Sequence, residues 1–285
     1  MILSASGIQE FLTCKHKYWL NRVRRIESKK RPRAFEFGAQ IHKAADVLHE
    51  NWDAGAAYKK FCENYEDMPH DQKRTRVTAE RMIRNYRDKY KDQPFKVLHT
   101  GFKFKLSVPE IPGWYIIGEI DRIIDWFGRK MIDELKTTSQ LTADYMHRFW
   151  VDYQTTIYLI AARKLVDPTI NAVLADACLV SKTDPSKLKS EPFMRDIIER
   201  TPDDLEYYRL RIVQILFDIK YCLDNNDAQP WYENDQSCTN YGGCQYLASC
   251  KEPWNMRERV LAVDYQLRAP SGRDYKDAKE GEFMV

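Results

Sequence analysis

Glycine is scarce in this chain. Its 285 residues include only 11, and no two of them stand in a G-x-G arrangement. The pattern G-x-x-x-x-G-K-[ST] is missing too, so neither a dinucleotide fingerprint nor a Walker-type phosphate loop is present, and ATP hydrolysis through such a loop is excluded. A G-x-S-x-G nucleophile elbow is also missing. No apolar run approaches the ~20 residues that cross a bilayer. The opening MILSASGIQE lacks the basic-then-apolar order of a secretory leader. These absences lead us to expect a cytoplasmic protein with no membrane segment.

What is present suits a packed fold. With 44% apolar and 13% aromatic residues, wholesale disorder is excluded, because disordered chains lack this many groups able to offset the entropy of ordering. The net charge of +3 is small but unevenly placed. Between Lys15 and Arg33 there are nine Lys or Arg and one acid, Glu27. With Tyr18 and Trp19 interleaved, this stripe fits a phosphate-contacting surface, with Arg22, Arg24 and Arg25 on the backbone and Tyr18 or Trp19 stacking on bases. It fits a solvated helix face equally well.

Periodicity gives a coarse map. Ser6 and Gln9 form a capping box that opens a helix over residues 4–26, and KKRPR ends it. A second helix spans 35–51. Residues 52–92 are helical and polar, an insertion packed on the core and not part of it. Strand patterns follow over 96–110, 114–126 and 130–137, divided by Pro112-Gly113 and Phe127-Gly128. A helix over 142–165, a strand over 172–182 and a helix over 202–225 complete the pattern. Residues 230–252 form a loop rich in Gly, Asn and Cys, and 268–285 read as a mobile tail. The expectation is an α/β fold, one domain over 1–267.

The stretch GEIDRIIDWFGRKMIDELKTT, residues 118–138, is the most informative. If Phe127-Gly128 is a two-residue hairpin loop, paired positions place Asp121 opposite Glu134, with Cβ atoms roughly 4.5–5.5 Å apart. Carboxylates so close repel unless a cation lies between them, and hard oxygen ligands suit Mg²⁺ or Mn²⁺. Lys136 emerges on the Glu134 face and Asp133 on the other. Glu134 and Lys136 are also consistent with a solvated salt-bridge cluster. Against that, Asp121 sits in an otherwise apolar strand, where an unpaired charge is costly. A following helix carries Gln154 and Tyr158 at i and i+4 on one face.

Seven cysteines are present, at 14, 62, 178, 222, 238, 244 and 250. An odd count in a cytosolic chain argues against a disulfide framework. Cys238, Cys244 and Cys250 form C-x5-C-x5-C in a loop containing Gly242-Gly243. Thiolates at that spacing suggest a metal site, with Cys14 as the fourth ligand. Spacing does not separate zinc from iron–sulfur.

Taken together, G-x-x-D (Gly118, Asp121), E-x-K (Glu134, Lys136) and Q-x-x-x-Y (Gln154, Tyr158) resemble the PD-(D/E)XK nuclease superfamily, in its RecB-like branch. The G-x-x-x-H of that branch matches Gly38 and His42, which selects His42 over His49 on the same helix face. Ile120 stands where the family has its proline. The order Cys14, nuclease motifs, cysteine trio is similar to that of AddB-type and CRISPR adaptation nucleases. The resemblance implies a restriction-endonuclease-like core, a mixed central sheet flanked by helices. It further implies a [4Fe–4S] cluster on Cys14, Cys238, Cys244 and Cys250, stapling the first helix to the C-terminal loop. His42, Asp121, Glu134 and the Leu135 carbonyl would hold Mg²⁺ or Mn²⁺, Lys136 would act on the attacking water, and Gln154 and Tyr158 would position the strand. The implied activity is metal-dependent exonuclease action on DNA ends, with single strands favoured, in recombination, repair or phage DNA processing in a bacterial cytoplasm. A helicase or recombination partner is compatible with it. The competing readings are a catalytically silent DNA-end-binding or scaffold subunit, a zinc-stapled nucleic-acid binder, and a restriction-type endonuclease.

Overall fold

The computed structural model describes all residues except 30–32, 94, 185–186, 189, 227–229, 240–242 and 269–274. In chain order the elements are β1 (Ile2–Ser4), α1 (Ala5–Thr13), α2 (Lys15–Tyr18), a π-turn (Trp19–Val23), β2 (Ile26–Ser28), α3 (Arg33–Asn51), α4 (Ala54–Cys62), α5 (Arg76–Tyr90), β3 (Lys96–Ser107), β4 (Tyr115–Trp126) and β5 (Arg129–Thr138). There follow α6 (Ala143–Val151), α7 (Tyr153–Leu165), β6 (Ala172–Leu179), β7 (Phe193–Glu199), α8 (Pro202–Asp224), α9 (Leu247–Cys250), α10 (Arg257–Asp264), β8 (Tyr265–Leu267) and β9 (Lys279–Glu282). The chain divides into two compact units. One comprises Met1–Arg31, Lys105–Gly118 and Glu206–Met284; the other comprises Pro32–Phe104 and Glu119–Leu205, with Val285. No helix among the described residues is long and apolar enough to cross a membrane.

The second unit is built on strands in the order β7-β6-β5-β4-β3. β4 and β5 form the expected antiparallel hairpin, in register from Trp126↔Arg129 to Arg122↔Asp133. Its loop is the two-residue turn read from Phe127-Gly128. Both residues are left-handed (φ +53° and +81°), a backbone twist that matches the strands they join. β5 and β6 are parallel and β6 and β7 antiparallel, so the sheet is mixed. The parallel pair requires a crossover, supplied by α6 and α7.

Residues 142–165 make two helices instead of one. Asp152 is extended (φ −74°, ψ 129°) and caps α7 by accepting from the Gln154 N–H at 2.8 Å. An aspartate able to bond backbone this way competes with helix continuation. The 52–92 segment is not peripheral. Phe61, Tyr65, Met82 and Tyr86 pack with Phe37 of α3 and Leu135 of β5 in one apolar cluster. β7 is an unexpected strand, because Arg195 and Asp196 interrupt its apolar pattern.

In the first unit, the expected 4–26 helix is broken. Ser4, not Ser6, caps α1 by accepting from the Gly7 N–H. Cys14 then leaves the helix (φ −165°) and caps α2 through its sulfur, and Arg25 is left-handed at φ +58°. Most of the KKRPR stop lies outside the described residues, as does Gly242 of the cysteine loop. The tail expectation fails at its far end. β9 pairs beside β3, and Phe283 is fully buried, its N–H donating to the Ser107 carbonyl at 2.8 Å.

Candidate active site

Three elements of the second unit bring polar groups together: the middle of α3, the β4–β5 hairpin and the start of α7. The register that pairs Arg122 with Asp133 sets Asp121 across from Glu134 one step further on. Gly38 is what lets α3 approach. A Cβ there would lie 3.0 Å from the Thr137 Oγ1, so the bare backbone sits against the end of β5. One turn later His42 reaches the hairpin, with Nδ1 3.2 Å from Asp121 Oδ2. The same Asp121 oxygen accepts from the Leu135 N–H at 3.1 Å. On an extended strand the C=O of a residue points to the same side as its N–H, so the Leu135 carbonyl faces this site as well.

Glu134 carries the other half. Its Oε1 accepts from Lys136 Nζ at 2.5 Å and from Gln154 Nε2 at 2.8 Å, while its Oε2 is buried with no hydrogen-bond partner. Lys136 also lies 3.5 Å from Gln154 Oε1. Burial pushes the Glu134 carboxyl up to about 7, and the Asp121 charge adds to this against Lys136. Burial would raise Asp121 too, but the His42 imidazole, followed by Arg122 and Lys136, outweighs it and holds Asp121 at about 2. Burial works against the Lys136 ammonium, yet Glu134 and Asp121 overcome it and keep the ammonium charged. Among the described residues, no three Cys, His, Asp or Glu side chains converge as ligands of one ion. His42 closes on Asp121 and Lys136 on Glu134, leaving Glu134 Oε2 as the open donor.

Tyr158 is buried one turn beyond Gln154, edge-on to Phe104 with ring centroids 5.7 Å apart. His49, also on α3, is elsewhere. It is buried against Phe95 and Tyr86, and burial holds its pKa well below the usual imidazole value.

Beneath the hairpin lies a buried ionic ladder that the sequence reading missed. Arg122 donates from Nε to Asp133 Oδ2 and from Nη1 to Asp46 Oδ1, both at 2.6 Å. Arg122 and Asp133 are fully buried. Two strands on, Asp176 accepts from Arg195 at 2.9 Å and from the Tyr86 hydroxyl. The signal was available: Arg122 and Asp176 are charged residues inside apolar strands, where only a pairing makes them tolerable. Asp46 lies one turn after His42, so the ladder ties the helix bearing His42 to the hairpin bearing Asp121 and Glu134.

In the first unit the basic stripe is not a free phosphate surface. Arg22 pairs with Glu10 at 2.8 Å, and Arg24 forks onto Glu258 at 2.6 and 2.8 Å. Arg25 donates to the Arg268 carbonyl at 3.0 Å. Tyr18 is 1% exposed, packed edge-on against Phe11 and stacked with Trp231. It is a core residue and offers no face to a base. The acids that pair with Arg22 and Arg24, Glu10 and Glu258, lie outside the stripe in sequence, and that is why these two arginines looked bare.

Cys14, Cys238, Cys244 and Cys250 also lie in this unit, all as free thiols. The Cys244 N–H donates to the Cys238 carbonyl at 2.7 Å, and Cys244 and Cys250 pack beside Leu20, Tyr246 and Tyr265. Burial pushes the Cys250 thiol up to about 11, with the charges of Cys244 and Cys14 acting in the same direction. Cys238 is raised by burial and by the same two neighbours. Cys14 and Cys244 thus act on both Cys238 and Cys250, although no three of these side chains converge as ligands of one ion among the described residues.

The solved structure of a candidate exonuclease from Eubacterium rectale superposes with a TM-score of 0.52 at 15% identity, covering 84% of this chain and 86% of its own, a likeness of fold. An alkaline exonuclease from Laribacter hongkongensis aligns at 11% identity over 68% of this chain and 97% of its own, with a TM-score of 0.30, too loose to bear on the fold. No curated protein matches. The family profile of the PD-(D/E)XK nuclease superfamily matches residues 2–251, which is most of the chain. With that match and an α/β core on a mixed sheet, the chain belongs to the PD-(D/E)XK nuclease superfamily.

Proposed function

We propose that this chain is a metal-dependent DNA exonuclease of the RecB-like branch, hydrolysing phosphodiester bonds from DNA ends with single strands favoured. The carrying observation is Glu134 Oε2, a buried carboxylate oxygen with no partner, beside Asp121, Lys136 and Gln154. Leaving such an atom bare costs free energy, and a hard divalent cation suits it. Glu134, Asp121, His42 and the Leu135 carbonyl fit Mg²⁺ or Mn²⁺, with His42 making Mn²⁺ as suitable as Mg²⁺. Such an ion supplies Lewis acidity and a water of lowered pKa.

The chain's own groups do the remainder. Gln154 holds Glu134 in place from α7. Lys136 stands where an ammonium neutralises charge growing on the phosphate oxygens or orients the attacking water. Tyr158, buried one turn along, sets the rotation of α7 that aims Gln154.

The four cysteines fit a [4Fe–4S] cluster. They are soft donors within one unit, and Cys14 and Cys244 both raise the Cys238 and Cys250 thiols. Cys14, Cys238, Cys244 and Cys250 would each supply one thiolate to the cluster. Bound there, it would tie the α1–α2 junction at Cys14 to the 238–250 loop. A helicase or recombination protein is the partner that such an enzyme would serve.

The test is a time course on linear single-stranded and double-stranded DNA, labelled at either end, with Mn²⁺, Mg²⁺ or EDTA, with Lys136→Ala alongside. Metal-dependent loss of one label ahead of the other, absent from the variant, is expected. Cleavage that survives Lys136→Ala, or folded protein that cleaves nothing, would overturn the assignment; the second result would favour the silent end-binding subunit.

A further inference from the structure

The longest helix, α8, has two unlike faces. Ile212, Leu216 and Ile219 are fully buried, as expected for a helix lying on its core. The opposite face is also apolar. Tyr207, Leu210, Phe217 and Tyr221 are all exposed, Tyr221 at 63%. With Gln214 between them they follow a 3-4-3-4 spacing, which puts them in one straight seam about 21 Å long. Single exposed apolar residues are ordinary, but four on one helix face, two on either side of Gln214, mark a binding surface.

The chemistry beside the seam limits what can cover it. Asp203, Asp204, Asp218 and Asp224 outnumber Arg211 and Lys220, and Lys220 is already paired to Asp224. An acidic border repels DNA and anionic lipid, so the occupant is a protein. The seam is also its own complement. Turned about a two-fold axis through Gln214, Tyr207 meets the partner's Tyr221, while Leu210 comes within one residue of the partner's Phe217 and Arg211 within one residue of the partner's Asp218. A parallel arrangement would instead set Arg211 level with the partner's Arg211. Self-complementarity of this kind is what a closed two-fold interface requires.

We propose that the exposed face of α8 is a dimer interface, two copies of this chain lying antiparallel through Tyr207, Leu210, Phe217 and Tyr221. None of these residues belongs to the candidate active site, so the inference stands or falls apart from the nuclease reading.

The experiment is light scattering and sedimentation of the full chain at tens of micromolar. Wild type should be a dimer, and the double variant Leu210→Glu, Phe217→Glu a monomer with unchanged circular dichroism. Arg211→Asp, which sets like charges against each other across the axis, should weaken the dimer at least tenfold. Adding Asp218→Arg to it restores opposite charges and should recover the dimer. A monomeric wild type would overturn the proposal, as would a dimer that survives the double glutamate variant. If the glutamates disturb folding, the charge pair decides: failure of Asp218→Arg to rescue Arg211→Asp removes the antiparallel pairing.

Discussion

Gly38 and Thr137 are in direct apposition: a Cβ at position 38 would lie 3.0 Å from the Thr137 hydroxyl oxygen. That closeness sets the height of α3 over β5, and with it the reach of His42. Gly38→Ala gains helix propensity of about 1 kcal/mol, so its net effect on stability should be small while DNA cleavage falls. Gly38→Val should destabilise by about 1–3 kcal/mol through overpacking. Pairing Gly38→Ala with Thr137→Ala removes the obstructing oxygen and should restore cleavage. Denaturant titration and initial rates on the same preparations check both halves; a double variant no better than Gly38→Ala would refute the steric account.

Arg122 holds two acids from inside the sheet. Its removal leaves Asp133, fully buried, without its counter-ion. Arg122→Ala should cost about 3–5 kcal/mol, measured by urea unfolding. Arg122→Met with Asp133→Leu takes both charges away and should recover most of that loss. A single variant within 1 kcal/mol of wild type, about the cost of an exposed pair, would show the ladder to be dispensable.

Glu134 gives stability a direction with pH. Its carboxyl sits at about 7 in the folded chain and at about 4.3 when unfolded, so the folded state binds the proton more tightly. The contribution is fully present below the unfolded value and is lost as pH rises through the folded one. In EDTA, thermal stability should fall between pH values of about 5 and 7 and level off above that; Glu134→Gln should flatten this part of the profile. Mn²⁺ should raise the melting temperature more on the alkaline side, since it competes with that proton. A wild-type profile that rises across this interval while Glu134→Gln shows the same slope would refute the assignment.

The cysteine quartet makes a compositional prediction. Protein purified without oxygen should carry iron and sulfide and absorb in the visible. Cys244→Ser and Cys14→Ser should each lose the colour and melt earlier, whereas Cys62→Ser should keep both. Colourless wild-type protein containing zinc would convert the staple to a zinc site.

The hairpin was legible in the sequence because its information is local. Two left-handed turn residues fix the register, and register fixes which side chains share a face. Gly38 and His42 were legible only through the resemblance of G-x-x-x-H, since position on the helix did not separate His42 from His49. The sequence failed where a partner is distant: Glu258 neutralises Arg24 from 234 residues away, and Trp231 covers Tyr18. It failed again at Asp152, where one capping side chain outweighed an unbroken apolar period, and at β7, where Arg195 pairs with Asp176 and Asp196 accepts from the Trp150 indole.

The turn at Phe127-Gly128 works like a reading frame. The faces of β5 alternate with a period of two, so a one-residue slip of β5 against β4 would exchange Asp133 for Glu134 opposite β4. Asp133 would then point at the site and Glu134 into the ladder beside Arg122. The chain would keep every one of its motifs and lose their meaning.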